Sequence, residues 1–492
     1  MLGGRSVLFD LVVRGGRVYG PGDLGEVDLG VRAGRVAALG QVGRFRAGNV
    51  VDARGLLVLP GLVDPHTHIA MALASGTATC DDWYTGTVAA ACGGITTVSD
   101  FAQPVPGRGL AESLKERVTQ ARGRAVIDYT FSVTVTSADT LSEVAALTAE
   151  GVRSFKLYTV YPGLELSDRD LLASLEAIAR AGGLATVHAE SAAVVGAMAD
   201  RARQSGGVSA ARFPETRPAL AEAEAVYRVL TMARLVGARV MIRHISSREG
   251  LAAATSVRRA WGAGGRGGFP GRGGRWAARG GAAVDAPVWV ETAPHYLALD
   301  DSVYERDDGH RFICTPPLRT GEDREALWQG IADGLVDFVG TDHCALSAAQ
   351  KDAAPDIWQV PGGLPGFATL LPLTYTLGVV AGRIDLTRLA EVTSTAAARA
   401  FGLYPRKGTL LPGADADLVL VDPGARRKVG ADGWGVALGW SPYEGWELQG
   451  WPRLVISRGE VIVVEGEFIG RPGRGEYLGG SAAGMVPEPG GR

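Results

Sequence analysis

Between Gly61 and Asp342 the chain alternates short β-rich apolar runs with longer stretches of helical periodicity. Eight runs predict strands: GLVDPH at Gly61, GITTVSDF at Gly94, VIDYTFSVTV at Val126, VRSFKLY at Val152, LATVHAE at Leu184, RVMIRHI at Arg239, VWVETA at Val288 and VDFVGTD at Val336. Helices fall between them. SDRDLLASLEAIARAG carries Ser167 and Asp170 as a capping pair ahead of an apolar face of period 3.6. PALAEAEAVYRVLTMARLVG has Pro218 at a first-turn position. Strands alternating with helices in this way predict an α/β fold, a parallel (β/α)8 barrel of the TIM type over residues 59–407. A doubly wound open sheet is the alternative, but no glycine-rich dinucleotide loop follows the first strand.

The pattern changes at both ends. FDLVVRGGRVYG, VDLGVRAGRVAALG and VVDARGLLVL near the amino terminus read as short strands with glycine turns, and so do GADADLVLVD and RLVISRGEVIVVEGEFIG beyond residue 408. Neither group can close its own core, so residues 1–58 and 408–470 are expected to combine into one small β-sandwich beside the barrel. Residues 471–492 are expected as a tail. Residues 262–283, GAGGRGGFPGRGGRWAARGGAA, form a Gly/Arg insert that cannot bury enough apolar area to fold and is expected as a flexible surface loop.

Composition narrows the function classes. The 492 residues can bury a large core, and 50 basic against 53 acidic residues leave a net charge of −3, which favours neither nucleic acid nor membrane as partner. The 70 glycines suit many tight turns. MLGGRSVLFDLVVRGG lacks the basic-then-apolar order of a secretory signal. Residues 360–382 carry no charge, but Pro361, Pro365 and Pro372 favour a buried loop and helix over a membrane span. Cys80, Cys92, Cys314 and Cys344 form no CxxC pair, as expected of reduced thiols in a cytoplasmic protein.

The residues with metal-binding chemistry sit at the carboxyl ends of the predicted strands. His66 and His68 follow GLVDP, Lys156 ends VRSF, His188 ends LATV, His244 ends VMIR and Asp342 ends VDFVGT. In a barrel those ends converge on one face. His66 and His68 lie two apart on an extended segment, point the same way and can share one ion. His188 and His244 would serve a second ion, and Asp342 offers an oxygen; imidazole with carboxylate suits zinc or a neighbouring first-row metal. Taken singly, each has an ordinary reading: a rim histidine, a surface charge, a helix cap for Asp342. Four of only seven histidines at one barrel face make the metal site the better reading. His295 in APHY and His343 beside Asp342 read as outer partners or structural residues.

The motifs DPHTH, FKLYTVY, VHAE, RHISS, ETAPHYLALD, TPPLR and GTDHC, in this order, resemble those of cyclic amidohydrolases. The stretch from GVVAGRIDLTRLAEVTSTAAARAFGLYPRKGTLLPGADADLVLVDP to SRGEVIVVEGEFIGRPGRGEYL resembles D-hydantoinases and dihydropyrimidinases in particular. The resemblance implies hydrolytic opening of a cyclic amide or imide by a hydroxide shared between two divalent metals, most often zinc, about 3.5–4 Å apart. It implies that carbon dioxide carboxylates Lys156 to N6-carboxylysine, because a carbamate offers two anionic oxygens where an ammonium would repel the cations. Asp342 would take the proton of the hydroxide and pass it to the leaving nitrogen. Tyr161 would hydrogen-bond the developing oxyanion; packing of the loop at Pro162 is its structural alternative. Main-chain groups of Thr315 and Gly362 would hold the amide edge of the substrate, where the family commonly has serine and asparagine; glycine loosens that loop. The segment IAMALASGTATCDDWYTG departs from the family's usual Leu/Met, Pro and Phe pattern and suggests a roomier substrate pocket. A homotetramer is likewise implied.

Dihydroorotase and allantoinase would share the metal site. Dihydroorotases place an arginine two residues after the second histidine of HxH, where this chain has Ala70, and the EPG-type continuation is missing. This points to a substrate without a ring carboxylate. A non-catalytic dihydropyrimidinase-like scaffold would have lost metal ligands, and all six are present. An RNA-binding role would rest on the Gly/Arg insert alone.

Overall fold

The computed structural model describes residues 8–42, 45–73, 76–105, 107–206, 209–262, 275–277, 283–285, 287–431 and 436–479. Among them, eight strands pair in parallel in the order Phe338–Val339, Val288–Thr292, Arg239–Ile242, Leu184–His188, Ser154–Tyr158, Asp128–Thr134, Ile95–Ala102 and Leu62–Asp64. The two ends of this sheet approach each other: a parallel bridge joins Thr67 to His343 just past the first and last strands. The sheet is thus a nearly closed barrel, the fold expected from the alternation of elements. Seven of its strands carry three to eight residues, whereas the last shrinks to Phe338–Val339. There Thr341 turns its N–H to the Asp64 carboxylate, at 3.0 Å, instead of extending the ladder.

Helix boundaries follow local chemistry. Ser167 accepts from the Asp170 N–H at the start of Asp168–Ala181, and Gly182 ends that helix at φ 77°, where a side chain would be strained. Pro218 lies one residue earlier than expected: it caps Ala219–Val236 in an extended conformation rather than occupying the first turn. Having no N–H to satisfy, proline is tolerated at either place. Residues 360–382 form a loop followed by short helical segments from Phe367 to Val380. No helix among the described residues is long and apolar enough to cross a membrane.

The terminal segments build a second sheet in the order Glu467–Phe468, Glu460–Val464, Pro452–Ser457, Leu418–Val421, Leu57–Pro60, Phe9–Tyr19, Asp23–Arg32 and Arg35–Gly40, with Ala47–Asp52 on Phe9–Tyr19. The sheet curls over itself: Ala416 donates to Gly34 O at 2.8 Å and Val36 to Ala414 O at 2.9 Å. Leu11, Val13, Leu29, Val31, Val58, Leu418, Leu420 and Ile456 fill the enclosed core. The two termini therefore share one sheet domain, as each lacks the strands to bury this core alone. Part of the carboxy-terminal stretch leaves it. Among the described residues Arg426–Lys428 pairs only with Glu447–Gln449, and Val429, Leu438, Trp440, Tyr443 and Trp451 pack into the barrel's cluster. Beyond residue 470, where a tail is expected, the chain stays docked as far as Gly479: Tyr129 N donates to Glu476 O at 2.9 Å and Leu478 N to Tyr129 O at 2.8 Å. Most of the Gly/Arg insert lies outside the described residues, but Arg275–Ala277 pairs antiparallel with Ala283–Asp285, which starts at the insert's last residue.

One buried cation joins barrel and sheet. Lys407 Nζ stands 2.6 Å from Asp128, 2.7 Å from Asp417 and 3.0 Å from Asp415. These three carboxylates have metal-ligand spacing, but the ammonium already supplies their counter-charge.

Candidate active site

The loop after the first strand carries His66 and His68, and buried polar groups fix its path. Asp64 accepts from the His66 N–H at 3.2 Å and from the Thr341 N–H, tying this loop to the one that bears Asp342. Asp100 accepts from Thr67 Oγ1 at 3.0 Å and from the Ile69 N–H at 2.7 Å, and Arg117 pairs with it at 2.7 Å. Both histidines consequently face the axis. His66 Nε2 and His68 Nε2 each lie 3.0 Å from Asp342 Oδ1.

The remaining predicted residues join this group. The His244 ring centroid is 5.3 Å from that of His66 and 4.4 Å from that of His188. Lys156 is buried on the fourth strand, with Nζ 4.7 Å from the Tyr158 ring centre and 5.2 Å from that of Phe101. Tyr161 brings its ring centre to 4.9 Å from His188, and its hydroxyl lies 2.6 Å from Thr315 Oγ1. Gly362 lies on the neighbouring loop, where an added Cβ would stand 4.0 Å from Cys314 Cα. All nine candidate positions therefore border one region at the carboxyl mouth of the barrel. Three of them, Tyr161, His244 and Asp342, hold positive φ values of 86°, 36° and 50° without being glycine. Such backbone strain persists where surrounding contacts over-determine it, often at functional sites.

Outer partners orient the imidazoles. His66 Nδ1 is 2.8 Å from Glu291 Oε2, which leaves Nε2 for the centre. His188 Nε2 is 2.7 Å from Glu190, whose carboxylate is gripped by Arg217 at 3.0 and 2.5 Å. His68 Nδ1 contacts the Met71 sulfur at 3.2 Å. His343 faces outward from the centre: Nε2 meets Asp81 at 3.2 Å, Nδ1 accepts from the Gly366 N–H at 3.1 Å, and the ring stacks on Phe367 at 3.7 Å. His295 lies buried beside the site with Nε2 unpartnered among the described residues.

Burial sets the protonation states. It pushes His66, His188 and His244 below the ordinary imidazole value, with neighbouring cations adding to the effect at His66 and His244, so these rings are neutral donors of a lone pair. Burial drives Lys156 far below the ordinary lysine value, and nearby Arg243 pushes the same way. Asp342 stays below the ordinary carboxylate value despite its burial, because His68 hydrogen-bonds the anion. Tyr161 is raised by burial and keeps its proton.

These side chains fit a cation centre. Neutral imidazoles converge on a carboxylate, the Nε2 atoms of His66 and His68 and an Asp342 oxygen lie within 4.8 Å of one another, and His244 Nδ1 is buried with no hydrogen-bond partner among the described residues.

Glu291, Glu190 and Arg217 were not among the residues singled out from the sequence. A glutamate inside the apolar run VWVETA, and another two residues after His188, are the signals that could have found the two carboxylates.

Comparison with known proteins agrees with this geometry. The amidohydrolase family model matches residues 57–462. The D-hydantoinase of Streptomyces coelicolor is 37% identical over 478 residues, covering 95% of this chain and 97% of the relative. A D-phenylhydantoinase of Escherichia coli is 38% identical over 436 residues, covering 87% and 88%. The crystal structure of dihydropyrimidinase from Brevibacillus agri superposes with a TM-score of 0.87 at 31% identity, covering 95% of this chain and 97% of that one. The chain belongs to the amidohydrolase family and, within it, to the D-hydantoinase/dihydropyrimidinase group of cyclic-amide hydrolases.

Proposed function

We propose that this enzyme opens the ring of a hydantoin or dihydropyrimidine by hydrolysis of a ring amide, at the centre formed by His66, His68, Lys156, His188, His244 and Asp342. The observation that carries the reading is the meeting of His66 and His68 on Asp342 Oδ1, with the His188–His244 pair beside them. Those six side chains would hold two divalent cations, zinc by the nature of the donors, with Lys156 carboxylated by carbon dioxide to give a bridging anion. When bound, the cations polarise the ring carbonyl and lower the pKa of water.

The residues of the chain then divide the remaining work. Asp342 accepts one proton of the attacking water on a carboxylate oxygen and returns it to the departing ring nitrogen, so that nitrogen leaves as the neutral N–H of a urea-type carbamoyl group. Tyr161 donates its hydroxyl proton in a hydrogen bond to the oxyanion formed from the carbonyl. Main-chain groups of Thr315 and Gly362 hold the amide edge of the ring. Glu291 and Glu190 fix the faces that His66 and His188 present. By likeness to the group the enzyme acts as a homotetramer.

A panel of dihydrouracil, hydantoins, allantoin and dihydroorotate with the zinc-loaded protein tests the reading. Turnover of dihydrouracil or a hydantoin is expected. Turnover confined to allantoin or dihydroorotate would replace it with the corresponding related activity, and no ring opening at full metal content would reject it.

A further inference from the structure

Lys351 is fully buried on the short helix Ala348–Asp352, and among the described residues it forms no ion pair. Its Nζ donates instead to two main-chain carbonyls, Ile313 O and Pro361 O, each at 3.1 Å. A buried ammonium without an anion is expensive to keep, and an apolar side chain would fill the same space at lower cost. Burial lowers its pKa to about 8. Its two acceptors belong to the loops that carry Thr315 and Gly362, and Gly363 N adds a third tie to Ile313 O at 3.0 Å. The helix is anchored to the same region, since Arg311 grips Asp352 at 2.8 and 2.5 Å.

Pro361 O and the Gly362 N–H belong to one peptide unit. A charged donor on the carbonyl polarises that unit and makes its N–H a stronger donor. The Gly362 N–H itself meets no acceptor among the described residues. At a position where glycine would otherwise loosen the loop, the lysine supplies the missing constraint.

We propose that Lys351 is a positioning residue for the substrate: it fixes the 313–315 and 361–363 segments against each other and sharpens the Gly362 amide as a donor to a ring carbonyl. This rests on the ring-hydrolase reading above. Lys351 touches neither the metal-binding side chains nor Tyr161, so its loss should weaken binding and spare chemistry.

The test compares Lys351→Met and Lys351→Arg with the wild type as full-length, zinc-loaded enzymes, reading KM, kcat, metal content and Tm on the ring substrate that the wild type turns over. For Lys351→Met, KM should rise about tenfold or more, the scale of a charge-assisted hydrogen bond, with kcat within threefold and metal content unchanged. Lys351→Arg, which keeps a cationic donor, should recover part of that loss. If Lys351→Met does not fold, Lys351→Gln is read on the same measures. Unchanged KM, or a fall in kcat with KM unaltered, would overturn the positioning role. A wild type inert toward every ring would instead reject the functional reading itself.

Discussion

The phenolic oxygen of Tyr161 lies 2.6 Å from the Thr315 hydroxyl oxygen, so the side chain given to oxyanion stabilisation is bound to the residue given to the substrate edge. Arg217 lies over the other side of this assembly, 5.2 Å from the Tyr161 ring centre, while pairing with Glu190. The tyrosine is therefore held by its hydroxyl, by its ring and by a positive-φ backbone before any substrate arrives. A donor fixed in advance spends little free energy on reorganisation during the reaction.

Removing that hydroxyl should be felt in kcat. Tyr161→Phe is expected to lose about 2–4 kcal/mol of transition-state stabilisation, the scale measured for one oxyanion donor. Steady-state kinetics on the substrate found in the panel supplies the number. A loss below tenfold would assign Tyr161 to packing of the loop at Pro162.

Lys156 is buried with Nζ over the Phe101 and Tyr158 rings and without an ion pair among the described residues, and burial with nearby Arg243 favours the neutral amine. Lys156→Ala should abolish both turnover and metal retention, and a small carboxylic acid should restore part of each by replacing the carbamate. Metal analysis and kinetics in parallel make the check. Full activity in this variant would remove Lys156 from the centre.

Asp342 meets two imidazoles through a single oxygen. Asp342→Asn preserves the size and most hydrogen bonds but gives up the basic oxygen, so turnover should be lost while circular dichroism and much of the Tm remain. An undiminished kcat would end its assignment as proton carrier.

The chain's local patterns carried the barrel and the candidate centre a long way, and the reason is geometric. Strand-end residues of a parallel barrel share one face whatever their separation in sequence, so His66, His188, His244 and Asp342 could be grouped before any contact was known. Charge pairing has no such rule. His66 and Glu291 are 225 positions apart, and nothing periodic links them. Lys351 was likewise invisible, because its partners are main-chain carbonyls that any sequence offers. The docking of residues 471–479 depends on backbone bonds to the third barrel strand, and the departure of residues 426–431 and 436–451 from the terminal sheet depends on Trp440 and Trp451 packing into the barrel's cluster; neither leaves a local signature.

Lys407 stands among Asp128, Asp415 and Asp417, whose charges hold its pKa above the ordinary lysine value although burial opposes them. Its contribution is therefore complete below the unfolded lysine pKa of about 10.4 and fades only as pH climbs through the folded value. Asp415 is shifted the other way: Lys407 and Arg406 keep it below its ordinary value despite burial, so its contribution is present above about pH 4 and is lost as pH falls through the folded pKa. Lys407→Met leaves three buried carboxylates facing one another and should cost about 3–5 kcal/mol, the scale of a broken buried ion pair. Between roughly pH 7 and 9 the gap from the wild type should stay constant, well above the titration of Asp415 and below that of Lys407. Below about pH 4 it should narrow, because protonating Asp415 relieves repulsion in the variant and weakens pairing in the wild type. Denaturant unfolding of both proteins across that range decides the matter: a gap that persists undiminished at pH 3 would mean that Lys407 stabilises the junction through packing and not through these charges.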